Sequence, residues 1–508
     1  MKKTLYFILG MAAVLLSTAG CTKFLTEDPK TFLTPDNYYV SEAQMQDAVN
    51  GLYPGIPGTY MAGLVAPQHT TFIMLETLTG YHKRNHAAQT RTLGYELPLS
   101  DDNGLLDNNW NGMYAVISRA NYTLEGISNS KANIPAETRN RFLGEAYFIR
   151  AYAYFFLVQC YGPLPLTTKP VRAKSDIVTE LTPISGIYDQ ILLDLEEAEK
   201  LLTVWNPGNG HVGLGAVKSL LAKVHLTMAG YPLRKTDHYA QALAKAKEVA
   251  ASGAFTLYKD VHDIANSAKR NKEEAIFTAQ YNKSNGNSPM HGFFLPYYAG
   301  WDKEAISESQ SFGGAIVPSQ AFINTYETGD KRAMEKGWYY NSYKKMDGSG
   351  NAEFPQPFIY KFFDEDATTS NNCDVQFPML RYSDILLVLA EAACAGGTTS
   401  DPDAINAYYQ VHNRWCPIPK PSSISFDDVY KERVWELCFE GKNWFDMLRT
   451  HKMLNVSNGR VVDMIGFTPQ EHPGFPFTEE NLLFPYPVAE KRLNANLQNI
   501  TVAERLAL

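Results

Sequence analysis

The chain has only 6 cysteines in 508 residues, and no two of them form a Cys-x-x-Cys pair. This spacing excludes a zinc module and a dense disulfide framework. No G-x-S-x-G, no P-loop and no G-x-G-x-x-G following a strand occurs, so acyl transfer and nucleotide chemistry have no motif to rest on. Positive charge is in deficit: 46 Lys and Arg against 54 Asp and Glu give a formal net charge of −8. An acidic chain without a basic stripe is poorly matched to phosphate backbones, so nucleic acid is not expected as a partner. Beyond residue 20 no run reaches the roughly eighteen apolar residues a membrane helix needs. Aromatics, by contrast, are plentiful: 30 Tyr, 26 Phe and 7 Trp in a chain that is 45% apolar and 20% charged. That composition supports a large core and excludes intrinsic disorder.

The N-terminus reads as an export signal. Lys2 and Lys3 form a short positive region, and Leu5 to Leu16 is an uncharged apolar run too short for a permanent membrane span. Ser17, Thr18, Ala19 and Gly20 then lead to Cys21. This arrangement resembles the lipobox of bacterial lipoproteins, with Thr18 where a Leu is usual, and implies acylation of Cys21, palmitate included, after removal of residues 1–20. Of the other cysteines, Cys160, Cys394, Cys416 and Cys438 sit in apolar helical stretches and are expected to be buried free thiols.

Helical periodicity dominates the first half. Apolar positions recur at steps of three and four from Trp110 to Ile127, from about Glu137 to Tyr161, from Ile184 to Leu202, from Gly215 to Met228 and from Tyr239 to Ser252. Gly162 with Pro163, and Gly230 with Pro232, stop two of these helices. The pairs, with Ala242 and Ala246 where helices cross, resemble tetratricopeptide-type stacking of irregular period. Between about Gly253 and Gln376 no long helical period survives, and Gly, Asn, Ser and aromatics dominate. Helices resume at Leu380 to Cys394, Asp403 to Trp415 and Phe426 to Leu448, and the last thirty or so residues read as extended. A long aromatic-rich loop region inside a helical scaffold is where function is expected.

Several segments together resemble one family. They begin with Cys21, Phe24-Leu25, Pro29, Thr34, Asn37-Tyr38-Tyr39 and Gly51-Leu52-Tyr53. Trp110, Tyr114, Ile117, Ala120 and Asn121 follow, then Gly144-Glu145-Ala146-Tyr147-Phe148-Ile149-Arg150-Ala151-Tyr152 and Tyr161-Gly162-Pro163-Leu164-Pro165-Leu166. Later come Asp330-Lys331-Arg332, Leu380-Arg381-Tyr382-Ser383-Asp384-Ile385-Leu386-Leu387, Phe439-Glu440-Gly441, Trp444-Phe445-Asp446, Arg449-Thr450 and Pro485-Tyr486-Pro487. In this order the segments resemble the SusD/RagB outer-membrane nutrient-binding lipoproteins of Bacteroidetes. Asn443 departs from the Arg common after Glu-Gly-x, and His451 from the Gly usual after Arg-Thr. The resemblance implies a mainly α fold, a SusD-like α-α superhelix of tetratricopeptide-like helix pairs carrying long irregular loops. It divides the chain into a signal peptide (1–20), an N-terminal helical region (21–270) and a C-terminal region (271–508) packed with the first as one unit.

By the same resemblance the protein is expected to be lipid-anchored in the outer membrane, facing outward. It would bind a nutrient, foremost an oligosaccharide, and hand it to a SusC-type TonB-dependent barrel. Sugar rings present an apolar C–H face that an aromatic ring covers. The loops offer Tyr81 with His82, Lys83 and Arg84, Tyr95, and above all Tyr297, Tyr298 and Trp301 as candidate ligand-binding residues. Other chemistry has little support. Glu145, Arg150, Glu440 and Arg449 lie among apolar residues and are expected to be buried ion pairs, and Trp110 and Trp444 to be core. His82 and His86 have a helical metal spacing, but Lys83 and Arg84 lie between them and no Glu takes the general-base position, so no metal and no cofactor are expected. The remaining alternatives are a lipid-anchored surface glycan hydrolase, which needs two facing carboxylates that sequence alone does not place, a peptide-binding importer subunit, and a helical-repeat scaffold that only binds protein.

Overall fold

The computed structural model describes residues 38–61, 70–84, 99–284, 288–294, 314–345, 347–364, 367 and 373–508. Three short helices come first: α1 (Glu42–Asn50), α2 (Gly55–Met61) and α3 (Thr71–Leu78). The long array follows as α4 (Gly104–Asn129), α5 (Ala136–Tyr161), α6 (Ile184–Leu201), α7 (Leu214–Ala229) and α8 (His238–Ala251). The bounds of α5 to α8 lie close to those expected from periodicity, because the signals are local, whereas α4 starts six residues before the expected Trp110. Asn103 caps α4 by accepting the Leu105 N–H, and Gly162 ends α5 at φ 75°, a conformation cheap only without a Cβ. Each helix packs on its neighbour, α4 on α5, α5 on α6, α6 on α7 and α7 on α8.

The segment 252–381 is looped out of this array. Its regular pieces are α9 (Met290–Phe294), α10 (Gln320–Ile323) and short strands. Strand β1 (His82–Arg84) precedes the array, and β2 (Ala275–Ala279), β3 (Ile316–Pro318), β4 (Tyr339–Lys344), β5 (Asn351–Ile359) and β6 (Phe377–Arg381) lie within the segment. They form antiparallel two-stranded ribbons, β1 with β3, β2 with β6 and β4 with β5. The helical array then resumes as if uninterrupted, since α11 (Tyr382–Cys394) packs directly on α8 and then on α12 (Pro402–Asn413) and α13 (Phe426–Glu436). Start signals are again local. Asp401 caps α12 with Pro402 in its first turn, and Ser425 and Asp428 form a capping box on α13. The fold is mainly α, with helix pairs stacked in tetratricopeptide fashion.

Three expectations change. The helix expected from Phe426 to Leu448 is two helices, α13 and α14 (Asn443–Thr450), separated by a turn in which Phe439 and Gly441 take positive φ, 62° and 67°. The terminal segment is not simply extended, because it carries α15 (Val488–Leu493) and α16 (Val502–Ala507). Helix α5, whose steps of three and four predict a buried stripe of Leu143, Tyr147, Ala151, Tyr154 and Val158, does not bury that stripe alone. Leu143 and Tyr147 are only half-buried, while Phe142, Ile149, Ala153 and Phe156 are enclosed, because α5 runs through the middle of the molecule. One hydrophobic cluster extends from Leu52 to Leu497. The five described cysteines are buried, Cys373 among them, and no two of them are joined by a disulfide. Among the described residues no helix is long and apolar enough to cross a membrane.

Candidate functional site

The chain flanking the aromatic segments is paired in the β1–β3 ribbon. Its register is His82 opposite Pro318, Lys83 opposite Val317 and Arg84 opposite Ile316. Chain leaving β1 enters residues 85–98, which contain Tyr95. Chain arriving at β3 comes from residues 295–313, which contain Tyr297, Tyr298 and Trp301. All four lie outside the described residues, as do Cys21 and His86, and of Arg84 only the backbone is described. The antiparallel pairing thus fixes the roots of both segments side by side.

Two of the expected ligand residues hold that ribbon in place instead. Tyr81 and His82 are both fully buried. The Tyr81 ring stacks on Phe322 at 5.4 Å between centroids, and its hydroxyl oxygen accepts the Leu454 N–H at 2.8 Å. The His82 ring lies 4.4 Å from Phe439 and 4.9 Å from Phe322. Burial pushes its pKa down to about 3, and its Nε2 sits 3.5 Å from Glu76, whose carboxyl burial pushes up to about 7. Neither ring faces solvent, so the expected stacking role does not fit them. From composition the stretch after Gly80 reads as open loop, whereas the wholly buried α3 and the Phe439 turn close over it.

Beside the ribbon lies an open cleft of about 640 Å³, within the usual range for small-ligand sites. Lys83, Pro318, Ser319 and Gln320 form one wall, Asn341 and the β5 stretch Glu353 to Pro357 another, and Gln470 with Glu471 a third. Side-chain amides both donate and accept, so Gln320, Asn341, Gln356 and Gln470 suit a ligand rich in hydroxyl groups. The Phe354 ring is braced edge-on by Tyr340 at 5.3 Å and by Phe358 at 5.0 Å. Burial raises the Glu471 pKa, and Lys83 opposes that rise.

The charged motif residues lie elsewhere and have partners. Arg150 grips both carboxylate oxygens of Asp194, at 2.8 and 2.6 Å. Glu145 is held by Arg141 at 2.8 Å, His211 at 2.7 Å and the Tyr53 hydroxyl at 2.6 Å. Arg449 pairs with Glu391 and Asp446, and Glu440 with Arg381 and Lys361. Arg381 also reaches Glu274 and Glu436, forming a buried network that joins β6 to α13. Burial alone would raise the Glu274 pKa, but Arg414 and Arg381 hold it down to about 2. Trp110 and Trp444 are buried, as expected of core. A cavity of about 70 Å³ lined by Arg433, Glu440, Asp446 and Arg449 is too small for a sugar ring. The departures have structural roles. Asn443 donates its amide to the Val434 carbonyl at 3.1 Å. His451 takes φ 53°, where Gly is favoured, and stacks on Tyr231 at 3.6 Å.

Sequence matching agrees with this architecture. Residues 23–226 match a SusD-like family described as starch-binding and associating with the outer membrane, and residues 331–501 match the SusD family. The chain belongs to the SusD/RagB family. The SusD-like protein P2 of Formosa agariphila is 24% identical over 507 residues, covering 95% of this chain and 97% of that one. A solved SusD superfamily protein from Parabacteroides distasonis is 29% identical with a TM-score of 0.79, covering 92% of this chain and 98% of the other. Surface glycan-binding protein A from Bacteroides thetaiotaomicron, solved with laminarihexaose, has a TM-score of 0.72 at 18% identity, covering 90% and 98%. The SusD fold of these neighbours is that of the present chain.

Sequence reasoning missed the cleft residues on β5 and at 470–471, which carry no motif. It also missed a group that does not line the cleft, Glu327, His412 and Cys416, of which only the four-residue spacing of His412 and Cys416 was visible.

Proposed function

We propose that this SusD/RagB protein is a non-catalytic, lipid-anchored receptor on the outer face of the outer membrane. It binds an oligosaccharide and delivers it to a SusC-type TonB-dependent barrel. The observation that carries the reading is the β1–β3 pairing, which roots the Tyr95 segment and the Tyr297, Tyr298 and Trp301 segment beside an amide-rich cleft. Aromatic rings for sugar faces and amides for hydroxyls are the two recognition elements a neutral glycan requires. The family description as starch-binding and the laminarihexaose complex of a neighbour support a glycan ligand. Attachment through Cys21 would keep receptor and barrel in one membrane, where tethering raises their effective concentration.

A glycan array followed by calorimetry on the positive glycans tests this reading. Saturable binding without release of reducing ends is expected. Release of reducing ends would assign a hydrolase, and selective binding of peptides in place of glycans would assign a peptide importer.

A further inference from the structure

Away from the cleft, the end of α12 and the chain following α10 bring three ligand atoms together. The helical pattern continues one turn past Asn413, with the Cys416 N–H donating to the His412 carbonyl at 3.0 Å. Cys416 therefore lies one turn along the same face as His412. The facing segment is tied to this turn by the Lys331 N–H, which donates to the Trp415 carbonyl at 3.1 Å, and it carries Glu327. His412 Nε2 is 3.6 Å from Glu327 Oε2, Cys416 Sγ is 3.9 Å from the same oxygen, and all three ligand atoms lie within 4.8 Å of one another.

The histidine supplies an independent indication. His412 is fully buried, and its Nδ1 is hydrogen-bonded to Glu432 at 2.8 Å. Arg332 fixes Glu432 in turn at 2.7 Å. A carboxylate on Nδ1 selects the tautomer that leaves the Nε2 lone pair free. Nε2 is buried without a hydrogen-bond partner, and it faces Cys416 and Glu327.

We propose that Glu327, His412 and Cys416 form a three-ligand site for one divalent transition ion of the zinc class. Bonds of about 2.0–2.3 Å in a tetrahedral site place ligand atoms roughly 3.3–3.7 Å apart, close to the two distances observed here. Thiolate with imidazole selects zinc-like ions over calcium and magnesium. Glu327 is partly exposed and closes the site from the solvent side, leaving the fourth position to water. His412 binds as neutral imidazole. Cys416 binds as thiolate, its proton passing to the buffer when the sulfur–metal bond forms, with no change of oxidation state. Glu432 is a positioning residue that orients the ring. The ion would pin the chain following α10 to the end of α12.

Cobalt titration of the chelator-treated full chain tests the site. One equivalent of Co²⁺ should bind and give an intense thiolate-to-cobalt charge-transfer band that Zn²⁺ abolishes. Cys416→Ser should lose the band, and Glu327→Gln, a change at a partly exposed position, should weaken Zn²⁺ binding at least tenfold while the protein stays folded. Zn²⁺ should also slow alkylation of Cys416 in the wild-type chain, a readout that needs no variant. No charge-transfer band, or a band and affinity unchanged in Cys416→Ser or Glu327→Gln, would overturn the site.

Discussion

Lys83 and Val317 are register partners across the β1–β3 ribbon, although 234 positions separate them in the chain. This one pairing fixes the described chain flanking the two aromatic segments side by side, and Lys83 and Pro318 of the same ribbon line the cleft. Long-range pairing of this kind orients segments far more narrowly than their own local preferences do.

Ligand stacking on these segments predicts a specific loss. Trp301→Ala should weaken glycan binding by roughly 1–3 kcal/mol, about 5- to 150-fold, the size of a lost hot-spot ring. Calorimetry on the folded variant checks it, and an unchanged dissociation constant would remove Trp301 from the site.

Tyr81 should behave in the opposite way. Tyr81→Phe keeps the stack on Phe322 but leaves the buried Leu454 N–H without its acceptor. The expected result is a stability loss of about 1–3 kcal/mol with glycan affinity unchanged. Denaturant melts and calorimetry on the same sample separate the two effects, and loss of affinity without loss of stability would return Tyr81 to the ligand surface.

The Arg150–Asp194 pair should be costly to break on one side only. Arg150→Met leaves a buried carboxylate uncompensated and should destabilise the protein by about 3–5 kcal/mol. Adding Asp194→Leu should recover part of that loss. If the double variant were as unstable as the single, the charge would not be the cause.

Stability should climb as pH rises from about 4 to 6.5. Burial lowers His82 and His291 to about 3 and His225 to about 4 from an ordinary 6.5. The unfolded chain therefore binds protons in this window that the native state refuses, and acidification favours unfolding. Glu432 works in the same direction at lower pH. Burial alone would raise its pKa, but Arg332 and His412 hold it at about 2, so its contribution is lost as pH falls from 4.5 toward 2. Glu76 opposes these groups, because its folded pKa of about 7 makes its contribution fade as pH rises from 4.5 to 7. His238 and His451, lowered by burial, act with these histidines. Glu471 and Glu490, raised by burial, and His412, which burial alone would lower but Glu432 raises, act with Glu76. The large shifts are three histidines against the Glu76 carboxyl, so melting temperature should increase across the window. A flat or falling profile would show that the histidines are not kept neutral.

The anchor has its own test. Cys21→Ala should abolish lipid processing and move the protein out of the membrane fraction while leaving its circular dichroism unchanged. A variant that still sediments with outer membrane, and is still shaved from intact cells by protease, would rule out lipid as the necessary anchor.

The sequence alone determined the helices whose signals are local: the bounds of α5 to α8, the Gly162 stop, and the ordered motifs that carry the family. Hydrogen bonds and side-chain spacing within one or two turns set these features, so a window of the chain contains their cause. The tertiary structure decided what depends on residues far apart. The helical period runs without interruption from Phe426 to Leu448, yet the chain turns at Phe439 to Gly441, where Arg381 and Lys361 gather Glu440 and the Gly441 N–H donates to Glu76 at 2.5 Å. Tyr81 and His82 read as loop residues until α3 and the Phe439 turn bury them. Glu327 meets His412 and Cys416 only because two segments 85 residues apart are tied at Trp415. Burial and charge pairing are properties of the assembled core, and no local window of the sequence contains them.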